Sequence, residues 1–198
     1  MSLAKRHASL VRKTKETDIR LSLNLDGQGK NKFALGIPFL EHMLDLLASH
    51  GRFDLVIQAK GDLEVDQHHL VEDVGICLGK ALAQALGDKR GIVRYGACLL
   101  PMDESLVEVS LDLSGRPFLA YGLKLRQRRL ADFDTELAVE FLRAFVQAGG
   151  ITLHIQQRAG GNTHHLVEAL FKGLGRALAV AVSRDPRVKG VPSTKGRL

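Results

Sequence analysis

His68-His69-Leu70-Val71-Glu72 recurs 96 residues later as His164-His165-Leu166-Val167-Glu168, and each copy opens a long run of apolar residues at helical spacing. Other segments repeat with it. Ile19-Arg20-Leu21-Ser22-Leu23-Asn24-Leu25-Asp26-Gly27 is matched by Val107-Glu108-Val109-Ser110-Leu111-Asp112-Leu113-Ser114-Gly115, and both alternate apolar with polar residues as half-buried strands do. Phe39 to His50 and Glu136 to Ala148 have helical spacing, and each precedes a strand-like run, Phe53 to Ala59 and Ile151 to Gln157. The closing helices span about Gln67 to Leu86 and about Thr163 to Ser183. A repeated order at a nearly constant offset is internal duplication. Each half reads strand, strand, helix, strand, helix. The expected fold is α+β and two-layered: two halves related by a pseudo-twofold pair their sheets and bury one face under the helices.

The spacing predicts a single domain of two half-repeats, about 16–88 and about 92–184, meeting at Asp88 to Ile92, with a C-terminal tail over 185–198. The arm Met1 to Lys15 and the tail from Arg184 have too few apolar residues for core elements. Arg126-Gln127-Arg128-Arg129 reads as a solvated loop or strand edge, with a subunit contact as the alternative. With 198 residues, 45% of them hydrophobic, the chain can bury a sizeable core. Its start is basic without an apolar signal region, and its longest apolar stretch, Ala177 to Val182, is too short to span a bilayer, so a cytoplasmic protein with no membrane partner is expected. Cys77 and Cys98 lie among small apolar residues, as reduced buried thiols do. A net charge of +6 admits nucleic acid, but two tyrosines and no tryptophan leave little for base stacking, so no nucleic-acid partner is expected. A small anionic substrate accounts for the basic surface equally well.

Four of the eight histidines sit in the two doublets. On a helix, residues four apart share a face while neighbours diverge by about 100°. His68 and Glu72 can therefore grip one ion while His69 points elsewhere, and the same holds for His164, Glu168 and His165. If the halves face each other, the diverging histidine of one copy completes the site of the other. The expected sets are His164, Glu168 and His69 around one ion, and His68, Glu72 and His165 around its twin. Aligning Phe53-Asp54-Leu55 with Ile151-Thr152-Leu153 superposes His42 on Glu140, adding one to each site. Nitrogen and oxygen ligands without thiolate disfavour structural zinc and suit manganese, iron or catalytic zinc; the Glu140 oxygen favours manganese. His7 and His154 read as satisfied polar residues. His50, before Gly51, reads either as a cation at a helix C-terminus or as a substrate-binding group.

With these residues laid out, the chain closely resembles the imidazoleglycerol-phosphate dehydratase family of histidine biosynthesis. The resemblance rests on Glu16-Thr17, Phe39-Leu40-Glu41-His42-Met43-Leu44, Asp66-Gln67-His68-His69-Leu70-Val71-Glu72-Asp73, Asn162-Thr163-His164-His165-Leu166-Val167-Glu168-Ala169-Leu170-Phe171-Lys172 and Pro192-Ser193-Thr194-Lys195-Gly196. It implies dehydration of imidazole glycerol phosphate to imidazole acetol phosphate by a hydro-lyase with two manganese ions per active site. It also implies a homo-oligomer of 24 subunits with active sites between subunits. Some family members carry a metal-binding histidine where Glu140 stands, so water is the alternative ligand there. The resemblance puts Glu16 at the substrate as the proton-transfer group, and matches Arg94, Arg116, Lys172, Ser193 and Lys195 to positions that contact phosphate. The groups expected to take direct part in catalysis are Glu16, His42, His69, Glu72 and Glu168.

The hydrogen to be lost sits beside an imidazole ring and has no carbonyl to activate it. Metal ions on the two ring nitrogens would hold an imidazolate, whose electrons expel the neighbouring hydroxyl through a diazafulvene-like intermediate. Two rival readings are a dinuclear hydrolase acting through a bridging water, and a basic RNA-binding module with a structural metal.

Overall fold

Alternating burial along Thr17 to Asn24 and along Ser105 to Asp112 makes these segments interior strands of two separate sheets, in a computed structural model that describes residues 6–196 and 198. In chain order the first half runs β1 (His7–Lys13), β2 (Thr17–Asn24), β3 (Asn31–Ala34), α1 (Pro38–Gly51), β4 (Asp54–Gly61) and α2 (His68–Leu86). The second runs β5 (Tyr95–Met102), β6 (Ser105–Asp112), β7 (Phe118–Gly122), a small hairpin of β8 (Arg129–Leu130) and β9 (Phe133–Asp134), then α3 (Glu136–Gly149), β10 (Thr152–Ala159) and α4 (Thr163–Val182). The sheets have orders β1-β2-β4-β3 and β5-β6-β10-β7. In both, the last-named edge strand is parallel to its neighbour and the other pairings are antiparallel. The duplication read from the doublets thus extends to topology, apart from the β8–β9 hairpin.

Three details differ from the sequence reading. Each half has three sheet strands, not two, ahead of its first helix, and the second adds the β8–β9 hairpin. The strand overlooked in the first half, β1, falls in the arm taken as too polar for an element, of which Met1 to Lys5 lie outside the described residues. It pairs with β2 along its whole length, yet only Ala8 is buried and Val11 is 72% exposed. An edge strand is held by backbone hydrogen bonds and needs few apolar side chains; Arg12 adds an ion pair at 2.8 Å to Asp73, buried on α2. Third, the sheets do not pair with each other. Each keeps its own four strands, and helices join the halves.

That junction is made by crossed pairs: α2 packs on α3 and α4 on α1, while α2 also covers β1 and β2 and α4 covers β5 and β6. A continuous apolar core runs through both halves. Close approach depends on Gly79 and Gly175. A methyl group on Gly175 would run into the Leu47 carbonyl and lie 3.1 Å from the Gly51 nitrogen, and one on Gly79 would run into the Phe145 carbonyl and lie 2.8 Å from the Gly149 nitrogen. These contacts are equivalent under the duplication. Helix propensity alone favours alanine over glycine by about 1 kcal/mol, but a Cβ pressed on a neighbouring backbone cannot be relieved by a rotamer change. We expect Gly175→Ala to destabilise the protein by about 1–3 kcal/mol, read by urea denaturation; a stability equal to or above wild type would show that the helices are free to separate.

Candidate metal centre

The starts of α1 and α4 are both pinned. Pro38 occupies the first turn of α1, and the Glu41 carboxylate turns back to accept from the Leu35 and Gly36 backbone N–H groups at 2.6 and 3.0 Å. On α4 the N-cap is Asn162, whose side-chain oxygen accepts from the His164 and His165 N–H groups at 3.0 and 3.3 Å. Crossing of the two helices then brings His42 to the face of α4 that carries His164 and Glu168, and the ligand atoms of these three lie within 4.8 Å of one another. His164 Nε2 is 3.0 Å from Glu168 Oε2, and Lys172, one turn further on, is 2.7 Å from Oε1. Glu168 is only 8% exposed. Burial opposes its ionisation, but Lys172 and His164 outweigh that and hold the carboxyl below its usual range. Two imidazoles and a buried carboxylate anchored at one edge are a donor set that fits a divalent cation.

The twin arrangement is looser. Asp66 accepts from the His68 N–H at 2.7 Å at the start of α2, and the α2–α3 crossing puts Glu140 beside it. His68 and Glu140 line one cleft of about 480 Å³ together with Asp66, Asp132 and Asp134, and Glu72 and Glu140 line the neighbouring one. Glu140 is 2.6 Å from Arg143. Among the described residues, His68, Glu72 and Glu140 do not reach the three-way proximity of the first set.

The diverging histidines behave alike. The rings of His68 and His69 stand at 88° and those of His164 and His165 at 86°. His69 Nδ1 meets Asp62 at 3.0 Å and His165 Nδ1 meets Glu104 at 2.8 Å; both histidines are shifted upward by these bonds. Glu104 is held down at about 2 by His165 and Ser105. Asp103 joins Glu104 and His165 in a second three-membered group. Within one chain, therefore, His69 is not in the His42 group, nor His165 in the Glu140 group. Neither acidic partner was anticipated; the only signal was that Glu104 stands to β6 as Glu16 stands to β2.

The remaining expected residues divide between two places. Glu16, exposed in the β1–β2 turn, accepts from the Asp62 N–H at 3.2 Å and so lies on the His69 side. His50, two turns along α1 from His42, is held below the usual histidine range by partial burial and by the charges of Lys172 and Arg176. Arg94 is buried, paired with Asp112 at 2.7 and 3.0 Å, and donates at 2.8 Å to the Pro192 carbonyl, which ties it to the tail turn containing Ser193 and Lys195. Arg116 is exposed beyond β6. His7 meets Ser22, as a satisfied polar residue, and His154 is exposed on β10 with its ring against Phe118. Arg94 N–H bonds to Ala181 at the far end of α4, thirteen residues and about 20 Å from Glu168 at 1.5 Å per residue. One chain thus holds its Arg94–Ser193 group far from its own His164–Glu168 pair.

A sequence profile described as imidazoleglycerol-phosphate dehydratase matches residues 35–178. The chain belongs to this family. Over 193 residues it is 58% identical to the imidazoleglycerol-phosphate dehydratase of Moorella thermoacetica, covering 98% of both chains, and 55% identical to that of Bacillus licheniformis, covering 98% and 100%. The crystal structure of the Staphylococcus aureus dehydratase superposes with a TM-score of 0.82 at 40% identity, covering 90% of this chain and 99% of that one. That of the Pyrococcus furiosus protein, solved as a complex, gives 0.83 at 39% identity, covering 96% and 100%. These dehydratase structures agree with the duplicated two-layer fold. If Glu168 is a ligand, Glu168→Gln should abolish tight Mn2+ binding in isothermal titration calorimetry; an affinity equal to wild type would remove it from the set.

Proposed function

We propose that this chain dehydrates imidazole glycerol phosphate to imidazole acetol phosphate in histidine biosynthesis, as a metal-dependent hydro-lyase. The observation that carries this reading is the convergence of His42, His164 and buried Glu168 in a chain of the dehydratase family. The proposed active site takes two Mn2+ ions. His42, His164, Glu168 and His69 hold one, and His68, Glu72, His165 and Glu140 hold the other. The first set takes its His69, and the second its His165, from a neighbouring copy. Three features support a site shared between subunits: the outward splay of the diverging histidines, the position of Glu16 beside His69, and the 20 Å scale separation along α4. A homo-oligomer follows from it, and 24 subunits is the number the family resemblance implies.

When bound, the ions supply Lewis acidity at the ring nitrogens of the substrate, which favours the electron-rich ring. The chain's own groups do the rest. The proton given up by the substrate ring would leave with the adjacent hydroxyl as water as ring electrons form a diazafulvene-like species, and the Glu16 carboxylate would take the side-chain proton and return it to the substrate, giving an enol that becomes the ketone. Arg94, Arg116, Lys172, Ser193 and Lys195 receive the phosphate, and His50 offers a hydrogen bond to the substrate. Among the described residues no helix is long and apolar enough to cross a membrane, and both cysteines are free thiols; the cytoplasm is the compartment proposed.

Turnover of imidazole glycerol phosphate should vanish on chelation, return with Mn2+, and fall on the order of 100-fold in His69→Ala. Undiminished turnover by metal-stripped enzyme would refute the metal mechanism. If sites are shared, His42→Ala and His69→Ala chains, each strongly impaired alone, should regain turnover after mixed reassembly, whereas a mixture as impaired as its parts would confine the site to one chain.

A further inference from the structure

Asp62 and Glu104 belong to neither of the two proposed Mn2+ ligand sets, yet each holds one of the outward histidines by the same ring atom. Asp62 Oδ2 is 3.0 Å from His69 Nδ1, and Glu104 Oε2 is 2.8 Å from His165 Nδ1. The halves reach this arrangement by different routes. Asp62 follows β4, and the place equivalent to it after β10 is Gly160; Glu104 sits in the β5–β6 turn, and its equivalent in the β1–β2 turn is Glu16. Simple inheritance from the duplication therefore does not explain the shared geometry, which points to a shared requirement.

We propose that Asp62 and Glu104 are positioning residues: each accepts the Nδ1–H of its histidine, fixes that tautomer, and aims Nε2 outward as the metal-binding atom. This rests on the dimetal reading given above. Glu104 is anchored through its carboxylate and Asp62 through its backbone. Glu104 Oε1 accepts from Ser105 Oγ at 2.8 Å and from the Asn162 N–H at 3.2 Å, which ties the β5–β6 turn to the cap of α4. The Asp62 N–H donates at 3.2 Å to the Glu16 carbonyl, so the carboxylate that orients His69 also adjoins the turn bearing the proposed proton-transfer residue. Among the described residues the other oxygen of Asp62 is buried without a hydrogen-bond partner, so the His69 bond is the one its side chain makes. His165 Nε2 is 3.8 Å from Asp103, beyond hydrogen-bonding reach, and so remains available.

The test is Mn2+ titration calorimetry on the full-length protein, with circular dichroism melting on the same samples. Glu104→Ala and Asp62→Ala should weaken binding by about 10–100-fold. Glu104→Gln and Asp62→Asn should lose less, because an amide oxygen still accepts from Nδ1–H. A lowered melting temperature with unchanged Mn2+ affinity would reduce both residues to structural clamps and overturn the proposal. Equal losses in Glu104→Gln, Glu104→Ala and Asp103→Asn would make Glu104 a ligand instead, and overturn it for that residue. No Mn2+ binding by wild type would sink the dimetal reading and this inference together, whereas normal wild-type binding with unaffected variants would sink this inference alone.

Discussion

The contact on which the rest depends is the crossing of α4 over α1, repeated as α2 over α3, at a distance only a hydrogen atom at Gly175 and Gly79 permits. It joins the halves where the sheets do not, because each sheet keeps its own strands. It also sets which side chains meet. With α4 seated on α1, the first turns of the two helices lie side by side, and His42 faces His164 and Glu168. The same crossing in the other pair brings Glu140 to His68 and Glu72, where an arginine one turn along already engages the carboxylate.

Charge around the first set is arranged to suit a cation. A carboxylate as buried as Glu168 is costly unless a positive group answers it, and Lys172 and His164 do so from the same helix. The Lys172 contact engages one oxygen and leaves the other beside the two imidazoles. The diverging histidines are half-buried, each with Nδ1 engaged by a carboxylate, and His165 Nε2 lies 3.8 Å from Asp103. In the proposed shared site the other nitrogen would meet a metal held by a neighbouring chain, which agrees with Arg94 and the tail turn lying at the other end of α4.

Much of this was legible from residue spacing. The doublets, the matched alternating strands and the offset that superposes His42 on Glu140 located α1, α2, α3, α4, β2, β4, β6 and β10 within a few residues. These elements bury one face and so carry a periodic apolar pattern. β1 was missed because an edge strand with one buried side chain has little pattern to read, and the β8–β9 hairpin because two residues per strand carry none. Asp62 and Glu104 escaped notice because an acidic residue in a turn reads as a solvated charge until the histidine it contacts is known.

The sequence by itself determined the duplication, the helix faces and which side chains are candidates to hold a metal, since these follow from local periodicity and the chemistry of each residue. Only the tertiary structure decided which side chains from distant parts of the chain come together. Those pairings link residues some 60 to 126 positions apart, as in His165 with Glu104 and His42 with Glu168, and depend on how closely two backbones can approach, a property of packed surfaces that no stretch of chain carries alone.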